Sequence, residues 1–123
     1  MNKTFFMQEA IREALEADSN KVFPNPLVGC VIVKDNMIIA RGYHKEFGTN
    51  HAEVNAIQSL DVPVSNADLY VTLEPCAHFG NNPPCVGAII QSKMFKKVIL
   101  ASNDPNEKAM GGIKQLKEAG IEV

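Results

Sequence analysis

Apolar and polar positions alternate in blocks along this chain, and the period of the alternation changes from block to block. Met7, Ala10, Ile11, Ala14 and Leu15 recur at helical spacing with charged residues between them, which predicts an amphipathic helix over residues 4–18 lying on a sheet. Pro24-Asn25-Pro26 stops any helix, because each proline removes a donor and restricts the residue before it. Residues 27–34 form a nearly continuous apolar run and residues 37–41 a second, separated by Asp35-Asn36. Those two residues suit a tight turn, so a β-hairpin is predicted, buried on both faces by its composition. Residues 51–60 read as a helix with Ala52, Ala56, Ile57 and Leu60 on its apolar side and Asn50 as N-cap, placing His51 and Glu53 in the first turn.

A strand over 68–73 follows. Pro83-Pro84 suits a helix start, so Cys85 opens a helix running to about residue 93. A strand over 96–101 and a turn at Asp104-Pro105-Asn106 come next. The last helix, 111–119, is ended by Gly120 at C′, and residues 121–123 begin a fifth strand. Helices alternating with strands after an opening hairpin predict an α/β fold, a three-layer α/β/α sandwich on a mixed five-stranded sheet.

Composition narrows the partners. A chain of 123 residues with 46% hydrophobic residues suits one domain, 1–123, around one core. Its net charge is −2 and it has no basic run, so no nucleic-acid partner is expected, although a local pocket for one phosphate is compatible with this. No apolar run is long enough to span a bilayer, so no membrane partner is expected. Glu9, Arg12, Glu13 and Glu16 interrupt the N-terminal segment where a signal peptide needs an apolar core, and a cytoplasmic location is the default. Three cysteines make an odd number, which favours metal or catalytic use over a disulfide framework.

The chemistry concentrates in two stretches. One supplies His51 and Glu53, the other Cys76 and Cys85. One imidazole and two thiolates form a zinc ligand set with one coordination position open, the arrangement of a catalytic zinc. A thiol at a helix N-terminus, as at Cys85, ionises readily. Glu53 sits two residues after the histidine, close enough to serve a zinc-bound water without binding the metal, and the first helical turn favours its ionised form. The order H-x-E, then P-C and a second Cys, is the zinc-deaminase signature. Hydroxide would attack the amine-bearing carbon of a heteroaromatic ring, with Glu53 shuttling protons to the ring nitrogen and the leaving amine. Taken singly, His51 is an ordinary helix-start residue and Glu53 an ordinary first-turn acid; only the combination points to this chemistry. Cys30, inside the run 28–33, reads instead as core.

The spacing between the two cysteines is longer than the signature usually has: eight residues, among them His78, Gly80 and Pro83-Pro84. Together with PNPLVG at 24–29 and HAEVNAI at 51–57, this stretch resembles the deaminase domain of the bacterial riboflavin-biosynthesis deaminase/reductase, within the cytidine deaminase superfamily. The resemblance covers nearly the whole chain. It implies a cytidine deaminase-like fold, a Zn2+ cofactor and the substrate 2,5-diamino-6-(ribosylamino)pyrimidin-4-one 5′-phosphate, a small phosphorylated aminopyrimidine. It also implies that Asn25, His44 and His78 contact that substrate. Where the family often has lysine and threonine before the paired prolines, this chain has Asn81 and Asn82, so the resemblance names no phosphate partner. Family members often form dimers or tetramers, which makes a homo-oligomer an expectation here. The family's deaminase is usually fused to a reductase, so the expected reductase is either removed or separate. Two alternatives are weighed against this reading: a deaminase of another base, nucleoside or nucleotide of cytosine or guanine type, and a non-catalytic zinc-binding interaction module.

Overall fold

The computed structural model describes residues 3–23, 27–46, 51–73, 85–101 and 112–123. Strands β1 (Gly29–Lys34) and β2 (Met37–Tyr43) form the expected hairpin. Asp35 and Asn36 both take positive φ, 51° and 64°, the two left-handed residues that a type I′ turn requires and that match the twist of paired strands. β3 (Ala67–Val71) pairs antiparallel with β1, and β4 (Phe95–Leu100) pairs parallel with β3. The sheet is therefore mixed, in the order β2-β1-β3-β4.

Four strands, not the expected five, make up the sheet among the described residues. The predicted fifth is a single bridge between Glu122 and Lys97, held by Val98 N–H to the Glu122 carbonyl at 2.8 Å and Glu122 N–H to the Lys96 carbonyl at 3.1 Å. Two bonds around one pair make a bridge rather than a ladder.

Helix α1 is Lys3–Ala14, shorter than expected, followed by the single turn α2 (Ser19–Val22). The sequence reading did not anticipate α2, since four residues carry no period; its signal is the Asp18 cap, whose carboxylate accepts from Asn20 N–H at 2.9 Å. The buried face of α1 also differs from the expected one. Phe6, Ala10 and Ala14 are buried, whereas Ile11 and Leu15 are exposed. The cause is a close approach: a Cβ added to Gly29 would stand 2.3 Å from the Ala10 carbonyl oxygen and from the Ala14 nitrogen. Where the helix crosses Gly29, Ala10 and Ala14 therefore face β1, with Phe6 on the same face, and Ile11 and Leu15 do not.

The strand β1 is buried on both faces, as predicted. Val31 and Val33 join Phe6, Ala10 and Tyr70 in one cluster. Cys30 and Ile32 join Ala52, Ala56, Val86, Ile89 and Leu116 in a larger one. β2 does not share this burial: it lies at the sheet edge among the described residues, and Met37 and Ile39 are exposed. Helix α4 (Cys85–Ser92) starts at the predicted cysteine. Helix α5 (Gly112–Glu118) ends in Gly120 at φ 88°, with Gly120 N–H on the Lys117 carbonyl and Ile121 N–H on the Leu116 carbonyl, both 3.0 Å. That is a Schellman cap, in which glycine avoids the Cβ clash of the left-handed region. No helix among the described residues is long and apolar enough to cross a membrane.

Candidate active site and metal centre

The candidate site residues that the structure describes include His51 and Glu53 at the start of α3 (Ala52–Gln58) and Cys85 at the start of α4. The N-cap of α3 is His51 itself, with extended φ −76° and ψ 172°; the expected cap, Asn50, lies outside the described residues. His51 makes no side-chain hydrogen bond to cap its own helix, so its imidazole is not spent there. Glu53 falls in the first turn as expected and is 3% exposed. A carboxylate so deep in a core is unusual outside functional or paired settings.

Helix α3 is seated on β2 by a second close approach. A Cβ on Gly42 would lie 2.3 Å from the Ala52 carbonyl oxygen and 2.6 Å from the Ala56 nitrogen. Two residues further along, His44 leaves the strand, its N–H bonded to the Val28 carbonyl at 3.1 Å. The His44 side chain is 2% exposed, and its ring stands edge-on to that of His51, with centroids 4.8 Å apart and planes at 85°. The sequence reading placed His44 near the substrate only through resemblance; the structure places it against His51.

Helix α4 packs against α3. Ala52 follows His51, Val86 follows Cys85, and both are buried in one cluster. Helices α3 and α4 thus pack on the same cluster, each just after the candidate ligand that precedes or opens it. Cys76, His78 and Asn25, and the substituted pair Asn81-Asn82, lie outside the described residues. A histidine not used as its own cap, a buried carboxylate two residues on and a cysteine at the first position of a helix packed against the same cluster suit the donor set of a zinc site with an attendant acid/base.

Cys30 is core, fully buried. Burial pushes its thiol well above the usual range, and the negative charges of Glu53 and then Glu13 add to the effect. It stays protonated, unlike a thiolate ligand. The sequence reading anticipated its burial but not its nearness to Glu53, which only the pairing of Cys30 with Gly42 under α3 explains. β3 is continued past Val71 by Thr72, whose Oγ1 accepts from Gly29 N–H at 3.1 Å and whose N–H donates to the Gly29 carbonyl at 3.0 Å.

Comparison with known proteins gives a consistent result. Residues 1–102 match the family model of the cytidine and deoxycytidylate deaminase zinc-binding region. The chain is 45% identical, over its whole length, to the diaminohydroxyphosphoribosylamino-pyrimidine deaminase of Buchnera aphidicola subsp. Schizaphis graminum, covering 83% of that protein. It is 51% identical over 122 residues to riboflavin biosynthesis protein RibD of Chlamydia muridarum, covering 97% of this chain and 32% of that protein. Among solved structures, the diaminohydroxyphosphoribosylaminopyrimidine deaminase/5-amino-6-(5-phosphoribosylamino)uracil reductase of Thermotoga maritima superposes with a TM-score of 0.90 at 44% identity, over 97% of this chain and 34% of that one. The chain therefore spans most of one relative and about a third of the two others.

Proposed function

Because the chain belongs to the cytidine and deoxycytidylate deaminase zinc-binding family, in its diaminohydroxyphosphoribosylaminopyrimidine deaminase branch, we propose the following reaction for it. Water displaces the amine of 2,5-diamino-6-(ribosylamino)pyrimidin-4-one 5′-phosphate, giving 5-amino-6-(ribosylamino)uracil 5′-phosphate and ammonia, a step of riboflavin biosynthesis. The observation that carries it is the whole-length identity to a relative of that activity, joined to a buried Glu53 in the first turn after His51.

In this reading His51, Cys76 and Cys85 hold a zinc ion, the cofactor of the family. Zinc, when bound, supplies the Lewis acidity that makes water a nucleophile near neutral pH. Glu53 accepts the water's first proton and delivers it to the ring nitrogen next to the reacting carbon. It then carries the second proton to the departing amine, which leaves as ammonia while the carbonyl forms. Burial of Glu53 serves this double duty, since a carboxylate screened from bulk water returns the proton it took. Asn25, His44 and His78 are assigned to the substrate, with His44 on the inner wall beside His51. The product is the compound on which the reductase half of the Thermotoga maritima relative is named to act, so the reading places a reductase next, in the same or a separate chain.

Ammonia release from the diaminopyrimidine phosphate by zinc-loaded protein tests this. Glu53→Ala is expected to lower kcat by about 10²–10⁴-fold while keeping its zinc. An inert wild type with zinc bound, or an active Glu53→Ala, would overturn the assignment.

A further inference from the structure

Helix α3 carries both His51 and Glu53, so whatever fixes α3 against the sheet also fixes the site. Its own N-cap does not, because His51 makes no capping side-chain bond. The anchor is on the strand side. Gly29 and Tyr43 are directly opposed in the β1–β2 ladder, and the bond beside them runs from His44 N–H to the Val28 carbonyl. Gly29 and Tyr43 are thus a non-hydrogen-bonded pair, whose own polar groups turn away from each other. Gly29 turns towards β3, where Thr72 satisfies both its N–H and its carbonyl. The Tyr43 carbonyl turns to the other side of β2, where no strand follows among the described residues. It accepts instead from the Asn55 side-chain amide, at 2.8 Å.

This bond joins the last residue of β2, next to His44, to the second turn of α3, one turn beyond His51. We propose that Asn55 is a positioning residue: by occupying the edge carbonyl of Tyr43 it holds α3 in register with the end of β2. His51 is thereby set against His44, and Glu53 two residues on is fixed with it. A half-buried carbonyl at a sheet edge is best met by a donor, and a side chain on the helix that meets it ties helix and strand more directionally than apolar contact does. The inference rests on the reading of His51 as a metal ligand and Glu53 as the acid/base.

The test uses the zinc-loaded protein and three variants, Asn55→Ala, Asn55→Asp and Asn55→His. Aspartate keeps the shape but has no proton to donate. Histidine keeps a donor, since Nδ1 is bonded to Cγ as the amide nitrogen is. Zinc affinity is read by chelator competition, the cobalt-substituted site by its absorption spectrum, and kcat and KM at saturating zinc. Asn55→Ala and Asn55→Asp are expected to lose about tenfold in zinc affinity, to alter the cobalt spectrum and to lose kcat more than KM, while Asn55→His recovers most of each. Should Asn55→Ala fail to fold, the Asp and His variants decide. Zinc affinity and spectrum unchanged in Asn55→Asp, or lost equally in Asn55→His, overturns the proposal. A wild type that binds no zinc sinks the reading and this proposal together. Zinc binding without turnover sinks the substrate assignment alone, and the affinity comparison still decides.

Discussion

Glu9 shows how one side chain can join two elements. It sits on α1 with its carboxylate 3.0 Å from Arg41 on β2 and 3.2 Å from Arg12 one turn ahead. The hydrogen bond from Arg41 is the main reason its carboxyl lies below the ordinary value of 4.5, with the charges of both arginines adding to it against an opposing effect of burial. A depressed carboxyl stabilises the fold above its ordinary pKa, and that contribution is lost as pH falls through the folded-state value. Glu9→Gln is therefore expected to lower the urea midpoint at pH 7, with the gap to wild type narrowing as pH falls from 5 to 3. The effect is modest and weakens with salt, because both guanidinium partners are substantially exposed. A gap of the same size at every pH would assign the role of Glu9 to packing instead. The residues of the candidate site differ in how readable they were. His51 and Glu53 announce themselves through a two-residue spacing that needs no structure to be seen. The burial of His44 and the bond from Asn55 to Tyr43 depend on which carbonyl of an edge strand faces outward, which no local pattern states.

Elements were legible where local chemistry decides them. Asp35-Asn36 dictated the hairpin, Cys85 stands at the start of α4 as the sequence predicts, and Gly120 closed α5. They were misjudged where packing decides. Ile11 and Leu15 look like the buried stripe of α1, yet the helix turns Phe6, Ala10 and Ala14 to the sheet, because Gly29 lets the two backbones meet at the alanines. β2 looks as apolar as β1, yet its edge position leaves Met37 and Ile39 in water. The two glycine contacts make a paired experiment. Gly29→Ala and Gly42→Ala each force a methyl group to within 2.3 Å of a helix backbone atom, so strand or helix must shift. Overpacking of this kind costs about 1–3 kcal/mol. Both variants are expected to lose stability to that extent in urea unfolding. Only Gly42→Ala displaces the helix bearing His51 and Glu53, so only it is expected to lose zinc affinity and kcat as well. Similar losses of activity in both, at matched stability, would mean that α3 is not held where the geometry of Gly42 puts it.

At the scale of the molecule, stability and function are served by different parts of the fold. Both core clusters are built on β1 and β3, with α1 on one and α3 and α4 on the other, and they bury Ile32, Leu69, Ile89 and Val98 without help from a metal. Of the proposed ligands, His51 caps α3 and Cys85 opens α4, the two helices that pack on the larger cluster. Removing zinc is therefore expected to spare the sheet and the helices while abolishing turnover. The thermodynamic consequence follows from linkage: with free zinc at about a thousand times Kd, the bound state gains about 4 kcal/mol over the apo protein. For a domain of this length that is a fall in Tm of roughly 10–20 °C on chelation. The far-UV circular dichroism at 25 °C should stay close to that of the zinc-loaded protein, and both Tm and activity should return when zinc is restored. Collapse of the far-UV signal on chelation would instead make zinc part of the folding core, as in small metal-stapled domains. The buried clusters around β1 and β3 argue against that outcome: a sheet so well filled by its own side chains is expected to keep its shape when metal is removed.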